Sequence, residues 1–172
     1  YAAAVNELPM SEGEFFTGTR LKRQNNLGED VDALRAELAE YRVGVYRHFF
    51  ATPYSFPESK FDFLLHPKSG ERGSNKVPWY RAGTGGADVK WIWDLSRLHW
   101  AVSYARAATL SSENNATFRD ALVELNASLK SWSIQNPGYR GVNWACGHEA
   151  SIRVLHFMVT AVILGELNSL TS

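Results

Sequence analysis

The 172-residue sequence has a single cysteine, Cys146, which excludes an intrachain disulfide framework and a cysteine-based zinc site. It has no net charge: eighteen Lys and Arg balance eighteen Asp and Glu. A strongly basic nucleic-acid or membrane-surface protein is thereby disfavoured, although a local basic site stays open. No apolar run has the length and charge-free character of a membrane span. The five histidines, His48, His66, His99, His148 and His156, never fall in an HExxH pattern, so no metal and no other cofactor is indicated. Gly83-Thr84-Gly85-Gly86 could hold an anion on backbone N–H groups, but it lacks the lysine and spacing of a P-loop. A Gly-x-Ser-x-Gly nucleophile elbow is missing, as are direct repeats and a recognisable signal peptide. The chain starts at Tyr1 and not Met, and its true start is expected to have been removed.

What the sequence does have is apolar and aromatic. Hydrophobic residues make up 45% and aromatic residues 13%, with six Trp, seven Tyr and nine Phe. That is enough for one domain with a buried core. Aromatics build cores, and they also stack on sugar faces.

Four helices are predicted. The first spans Asp30 to Phe50, with Val31, Leu34, Leu38, Tyr41 and Val45 on one stripe. Residues 53–86 follow as a long irregular excursion, rich in Pro, Gly and Ser. Its Phe61, Phe63, Leu64, Trp79 and Tyr80 make it too apolar for a disordered linker, so it is expected to pack on the domain. The second helix starts after Gly86 with Asp88 as N-cap and runs to Leu110; it is apolar nearly all round. The third, from Ser112 to before Pro137, is amphipathic through Phe118, Leu122, Leu125, Leu129 and Trp132. The fourth, Trp144 to Leu167, is apolar over most of its circumference. The order surface, buried, surface, buried predicts an all-α fold, an incomplete (α/α) toroid of helical hairpins, with a simple bundle as the alternative. Four helices cannot close a ring, so exposed apolar surface or a continuation beyond Ser172 is expected.

Two stretches could carry chemistry. In Gly141-Val142-Asn143-Trp144-Ala145-Cys146-Gly147-His148-Glu149, Asn143 reads equally as an N-cap. Glu149 and Arg153 are four apart and read as a helical ion pair. On a buried helix such charges are costly unless paired, so they serve either the core or a site. The second stretch holds Trp93, Asp94, Arg97, His99 and Trp100, with Trp93, Arg97, Trp100 and Tyr104 on one helical face. An arginine among aromatics suits an anionic sugar, or an ion pair with Asp94 or Glu149. Asn115-Ala116-Thr117 and Asn126-Ala127-Ser128 are glycosylation sequons, triplets that also arise by chance.

Taken together, DVKWIWDLSRLHW (88–100), SWSIQNP (131–137) and GVNWACGHEASIR (141–153), with HPKSG and PWY before them, resemble the N-terminal domain of heparinase II/III-type polysaccharide lyases. The resemblance covers about the last two-thirds of the chain. It implies an (α/α) toroid followed by a C-terminal β-sandwich domain, bacterial export to the periplasm or medium, and β-elimination on uronate-containing glycans such as glycosaminoglycans. The partner it implies is an acidic polysaccharide, with neither nucleic acid nor membrane. In such lyases an Asn or His of the GVNW-type motif donates to the uronate carboxylate, and that position is Asn143; an amide N–H₂ is a donor with no proton to lose at neutral pH. Trp93, Arg97, His99, Trp144, His148, Glu149 and Arg153 are expected to line the substrate. The acid of the second helix, commonly Glu in such sequences, is here Asp94. The resemblance places a catalytic tyrosine on a later part of the toroid and a histidine on the β-sandwich, both past Ser172. The chain is therefore expected to be a portion of a larger lyase and inactive alone. Two rivals remain: a non-catalytic glycan-binding or polysaccharide-assembly protein, and an inverting glycoside hydrolase using Asp94 and Glu149 as acid and base. A helical scaffold without a glycan role is the plainest alternative.

Overall fold

The computed structural model describes residues 15–17, 31–83, 85–110 and 120–166. Among these, five α-helical segments and one antiparallel hairpin alternate along the chain. They are α1 (Val31–Arg42), β1 (Val45–His48), β2 (Thr52–Ser55), α2 (Lys90–Ser96), α3 (His99–Thr109), α4 (Ala121–Gln135) and α5 (Gly147–Ile163). Short 3₁₀ turns lie at Pro57–Ser59, Trp79–Arg81 and Val142–Trp144. The fold is mixed, and the expected all-α toroid of helical hairpins is corrected on this point.

The correction begins at Gly44. Helix α1 buries Leu34, Leu38 and Tyr41 on one stripe. Gly44 then adopts φ +73°, and its N–H closes the helix on the Tyr41 carbonyl. A residue in the left-handed region ends a helix cheaply only when it is glycine. Beyond it, Val45-Tyr46-Arg47-His48 alternates, with Tyr46 and His48 inward and Arg47 outward. That is the period of a strand, not a fourth helical turn. The strand pairs with β2 in the register Val45↔Ser55 to His48↔Thr52. Pro53 is tolerated because β2 has no second neighbour among the described residues.

The expected second helix is likewise broken. Leu98 sits at φ +65° between α2 and α3, a left-handed conformation costing roughly 1–2 kcal/mol for a residue with a Cβ. Trp100, fully buried, fastens the break by donating its indole N–H to the Leu95 carbonyl at 3.0 Å. Helix α3 forms the centre of the domain and packs against α1, α4 and α5. Its Trp100, Ala101, Tyr104, Ala105 and Ala108 meet Leu38, Phe61, Phe63, Leu125 and Leu164 in one core.

Residues 53–86 carry β2, two 3₁₀ turns and the buried Phe56, Phe61, Phe63 and Leu64. Helix α5 differs from the expected all-round burial: Val154, Leu155, Met158, Val159 and Val162 stand 45–60% exposed on one face. The start of the expected third helix and the Asn115 sequon lie outside the described residues. Asn126 is 8% exposed, and its amide is bonded to both the N–H and the carbonyl of Phe16. No described helix is long and apolar enough to cross a membrane.

Candidate functional site

The helix break and the 3₁₀ turn at 142–144 bring the two sequence blocks together. Arg97, placed at the end of α2 by the Leu98 kink, lays its guanidinium along Glu149 of α5. Its Nε and Nη2 donate to the two carboxylate oxygens at 2.8 Å each. Nη1 reaches Asp94 Oδ1 at 3.4 Å. This fork-on-carboxylate geometry is the strong form of the ion pair. It holds the Glu149 carboxyl below its ordinary range and raises Arg97. Trp93, on the preceding turn of α2, donates its indole N–H to the Val142 carbonyl at 2.9 Å. His156 of α5 closes the seam on the Arg97 carbonyl at 2.7 Å.

Asn143 lies at the centre of the 3₁₀ turn and is wholly buried. It does not cap α5, which begins after Cys146. Its two amide protons are both engaged, one on the Phe63 carbonyl at 2.9 Å and one on Asn136 Oδ1 at 2.7 Å. Its Oδ1 has no hydrogen-bond partner among the described residues. Arg153, 4% exposed, donates Nη2 to the Asn143 carbonyl at 2.6 Å. Its guanidinium lies 5.3 Å from the Trp144 ring and 5.6 Å from Trp132. Burial lowers its pKa, and its Nη1 is unpartnered among the described residues. The ion pair expected between Glu149 and Arg153 is replaced by these two separate sets of bonds. Leaving a buried donor or acceptor unmatched costs about 1–3 kcal/mol, and such groups call for an explanation. Asn143 Oδ1 and Arg153 Nη1 belong to residues joined by a hydrogen bond, on the same seam.

A second polar node lies on the other side of Asp94, and it includes residues that sequence reasoning missed. Asp94 is 2% exposed. Burial pushes its carboxyl upward, but His48 and the Phe49 N–H outweigh this and hold it below the usual range. The Phe49 N–H donates at 2.8 Å and His48 Nδ1 lies 3.5 Å away. Burial lowers His99 to about 4, and its Nε2 is hydrogen-bonded to the Tyr46 hydroxyl at 2.6 Å. Tyr46 and His48 are two apart on β1 and both face inward; alternation in VYRH was the signal, obscured by reading the stretch as helix. His99 also lines a cleft of about 430 Å³ with Glu37, Glu40, Tyr41, Arg47 and Phe50.

Of the residues singled out from sequence, Asn143, Trp93, Arg97, Glu149 and Arg153 are therefore joined through one seam. His99 belongs to the adjoining node. Trp144 lies half-buried, its indole N–H on the Asn136 carbonyl at 3.2 Å. His148 is exposed on the first turn of α5. The Gly83–Gly86 turn is a poor anion cradle: a side chain at Gly85 would meet the Glu71 carboxylate at 3.1 Å, and Thr84 lies outside the described residues. Among the described residues no group of three or more His, Cys, Asp or Glu is placed to hold a metal ion.

A general acid needs a raised pKa, yet Asp94 and Glu149 are both lowered and both bound to Arg97. That arrangement speaks against the inverting hydrolase. No family model matches the chain, and neither curated proteins nor solved structures give a match.

Proposed function

We propose that this chain serves a polysaccharide lyase acting on uronate-containing glycans, with Asn143 as the group that neutralises the substrate carboxylate. Trp93, Arg97, His99, Trp144, His148, Glu149 and Arg153 shape the surroundings of that group. In the β-elimination a base takes the C5 proton, and its electron pair becomes the C4–C5 double bond. The C4–O bond breaks, and the leaving oxygen takes up a proton. On this reading the base, a tyrosine, and a histidine are supplied outside this chain, the latter from a β-sandwich domain. Export to the periplasm or medium belongs to the same reading.

The observation that supports it is the convergence of the two blocks on Asn143, where Trp93 holds Val142 and Arg153 holds Asn143 itself. The unmatched Arg153 Nη1 adds a vacant donor on that seam, whereas the unmatched Asn143 Oδ1 is an acceptor and offers a carboxylate nothing. To meet a carboxylate, Asn143 must exchange its bonds to Phe63 and Asn136 for the substrate. Asn143→Ala in the protein as its source makes it is expected to lower turnover by about 10²–10³. The assay is the ultraviolet absorbance of the 4,5-unsaturated uronate, with a thermal melt to show that the variant folds. Unchanged product release by a folded variant refutes the reading.

The engagement of both Asn143 amide protons favours a second reading, a non-catalytic glycan-binding or polysaccharide-assembly protein. It predicts acidic-glycan binding by the natural protein without any unsaturated product.

A further inference from the structure

Trp79, Tyr80 and Tyr139 are 43%, 65% and 61% exposed, although aromatic side chains are normally spent on cores. They come from two distant segments that the fold lays side by side. Pro78 and Arg140 form an antiparallel bridge, and the Trp79 N–H donates to the Tyr139 carbonyl at 3.0 Å. Residues adjacent to such a bridge are cross-strand neighbours. The junction is fixed by the Gly141 N–H on the Val77 carbonyl, by Arg140 Nη1 on the Lys76 carbonyl, and by the Asn75 amide on the Gln135 carbonyl. Tyr139 is held at φ +59°, left-handed, with its ring 5.9 Å from that of Trp144. An exposed, bulky residue kept in that conformation is costly, and such strain clusters at functional positions.

The charge of these two segments is one-sided. In a chain of balanced charge, residues 72–87 contain Arg72, Lys76 and Arg81 and no acid, and residues 132–148 contain Arg140 and no acid; Arg72 is paired with Asp62, and the Glu71 carboxylate lies beside Gly85. Arg81 is exposed and lies 5.8 Å from the Tyr80 ring. By contrast, the cleft beside His99 is lined by Glu37, Glu40 and Arg47, and with Arg47 paired to Glu40 its remaining charge is the negative one of Glu37. The open apolar face of α5 has no charge to select any partner.

We propose that Trp79, Tyr80, Arg81 and Tyr139 form a platform that binds an acidic polysaccharide chain, outside the buried Asn143. The rings stack on sugar faces, and the cations meet the carboxylates. The junction is already braced by backbone bonds, so little ordering accompanies binding. The ligand class rests on the lyase reading; the location rests on exposure, strain and charge alone.

The test is calorimetric titration of the purified 172-residue chain with alginate oligosaccharides and with heparan sulfate. Dextran serves as the neutral control and oligothymidylate as the nucleic-acid control. Tyr139→Ala and Trp79→Ala are each expected to weaken binding of an acidic glycan about tenfold. Tyr139→Phe keeps the ring and stays within about twofold of the parent, as does Val162→Ser on the far apolar face. Circular dichroism and melts confirm that each variant folds. The platform is refuted if neither acidic glycan binds, if both alanine variants bind like the parent, if dextran binds as tightly, or if oligothymidylate binds more tightly than both glycans. Platform-dependent binding by a natural protein that releases no unsaturated product supports the platform and removes the lyase. Product release alongside platform variants that bind normally does the reverse.

Discussion

Acidification is expected to destabilise this protein through His99 before either carboxylate of the seam titrates. The imidazole lies at the α2–α3 break with the Tyr46 hydroxyl on Nε2, and burial lowers its pKa to about 4. In the unfolded chain a histidine titrates at about 6.5. Between those two values the unfolded state binds more protons than the folded state. Stability present above the unfolded value is therefore lost as the pH falls toward the folded one. Linkage over that interval gives a loss of about 2 kcal/mol between about pH 7.5 and about pH 5. Asp94 and Glu149 act in the same direction but later. Both are lowered, so their contribution is complete above the ordinary carboxylate range and fades only as the pH falls below it. Urea unfolding across the window reads the effect: with a slope of about 2 kcal/mol/M, the midpoint drops by about 1 M. His99→Gln retains an acceptor for Tyr46 and cannot charge. Its midpoint is expected to start lower and to stay flat over the same window. An equal fall in parent and variant, or no fall in the parent, refutes the assignment.

Two further substitutions probe the framework. Arg97→Met leaves Glu149 and Asp94 buried without their shared cation, and denaturant unfolding is expected to show a loss of about 3 kcal/mol; adding Glu149→Gln recovers a large part of it. Gly141→Ala places a Cβ 2.7 Å from the Ser74 carbonyl at φ +78°, and a thermal melt is expected to report a loss of about 3 kcal/mol.

The helical parts of the domain were legible because their signal is periodic. Leu34, Leu38 and Tyr41 declare α1, and Leu125 and Leu129 declare α4, wherever the chain goes next. The two helix breaks, at Gly44 and Leu98, were not, for opposite reasons. At Gly44 the stop signal was present but stood inside an apolar run, so the helix was extended through it. At Leu98 there is no local signal: leucine is a good helix former, and nothing in SRLHW marks a left-handed residue. The long-range bonds from Arg97 to Glu149 and from His156 to the Arg97 carbonyl, with the Trp100 indole on the Leu95 carbonyl, hold that conformation. The candidate site divides in the same way. Helical spacing could pair Glu149 with Arg153, but the fold offered Glu149 a better partner 52 positions away. Tyr46 and His48 escaped notice because their strand did.

Backbone strain and buried charge meet at one place, and each accounts for the other. Five described residues other than glycine have positive φ; of these, Phe49 bonds Asp94, and Phe50 and Leu98 lie beside His99. Phe49 contributes its N–H to the carboxylate, Phe50 lays its ring 4.9 Å from that of His99, and Leu98 sets Arg97 and His99 on either side of the kink. Each left-handed residue costs about 1–2 kcal/mol. A carboxylate buried without partners costs more than these together. The hairpin tip and the helix break are thus the conformations that let Asp94 remain ionised in the interior. The arrangement at Asn143 runs the other way: the backbone there bends around Gly141, and the unmatched atoms are on the side chains of Asn143 and Arg153. Asp94 therefore reads as a centre whose charge is answered by the Phe49 N–H and Arg97, while both ring nitrogens of the neighbouring His48 have no hydrogen-bond partner among the described residues. At the Asn143 seam the unmatched atoms are an amide oxygen and a guanidinium nitrogen, both buried within the fold.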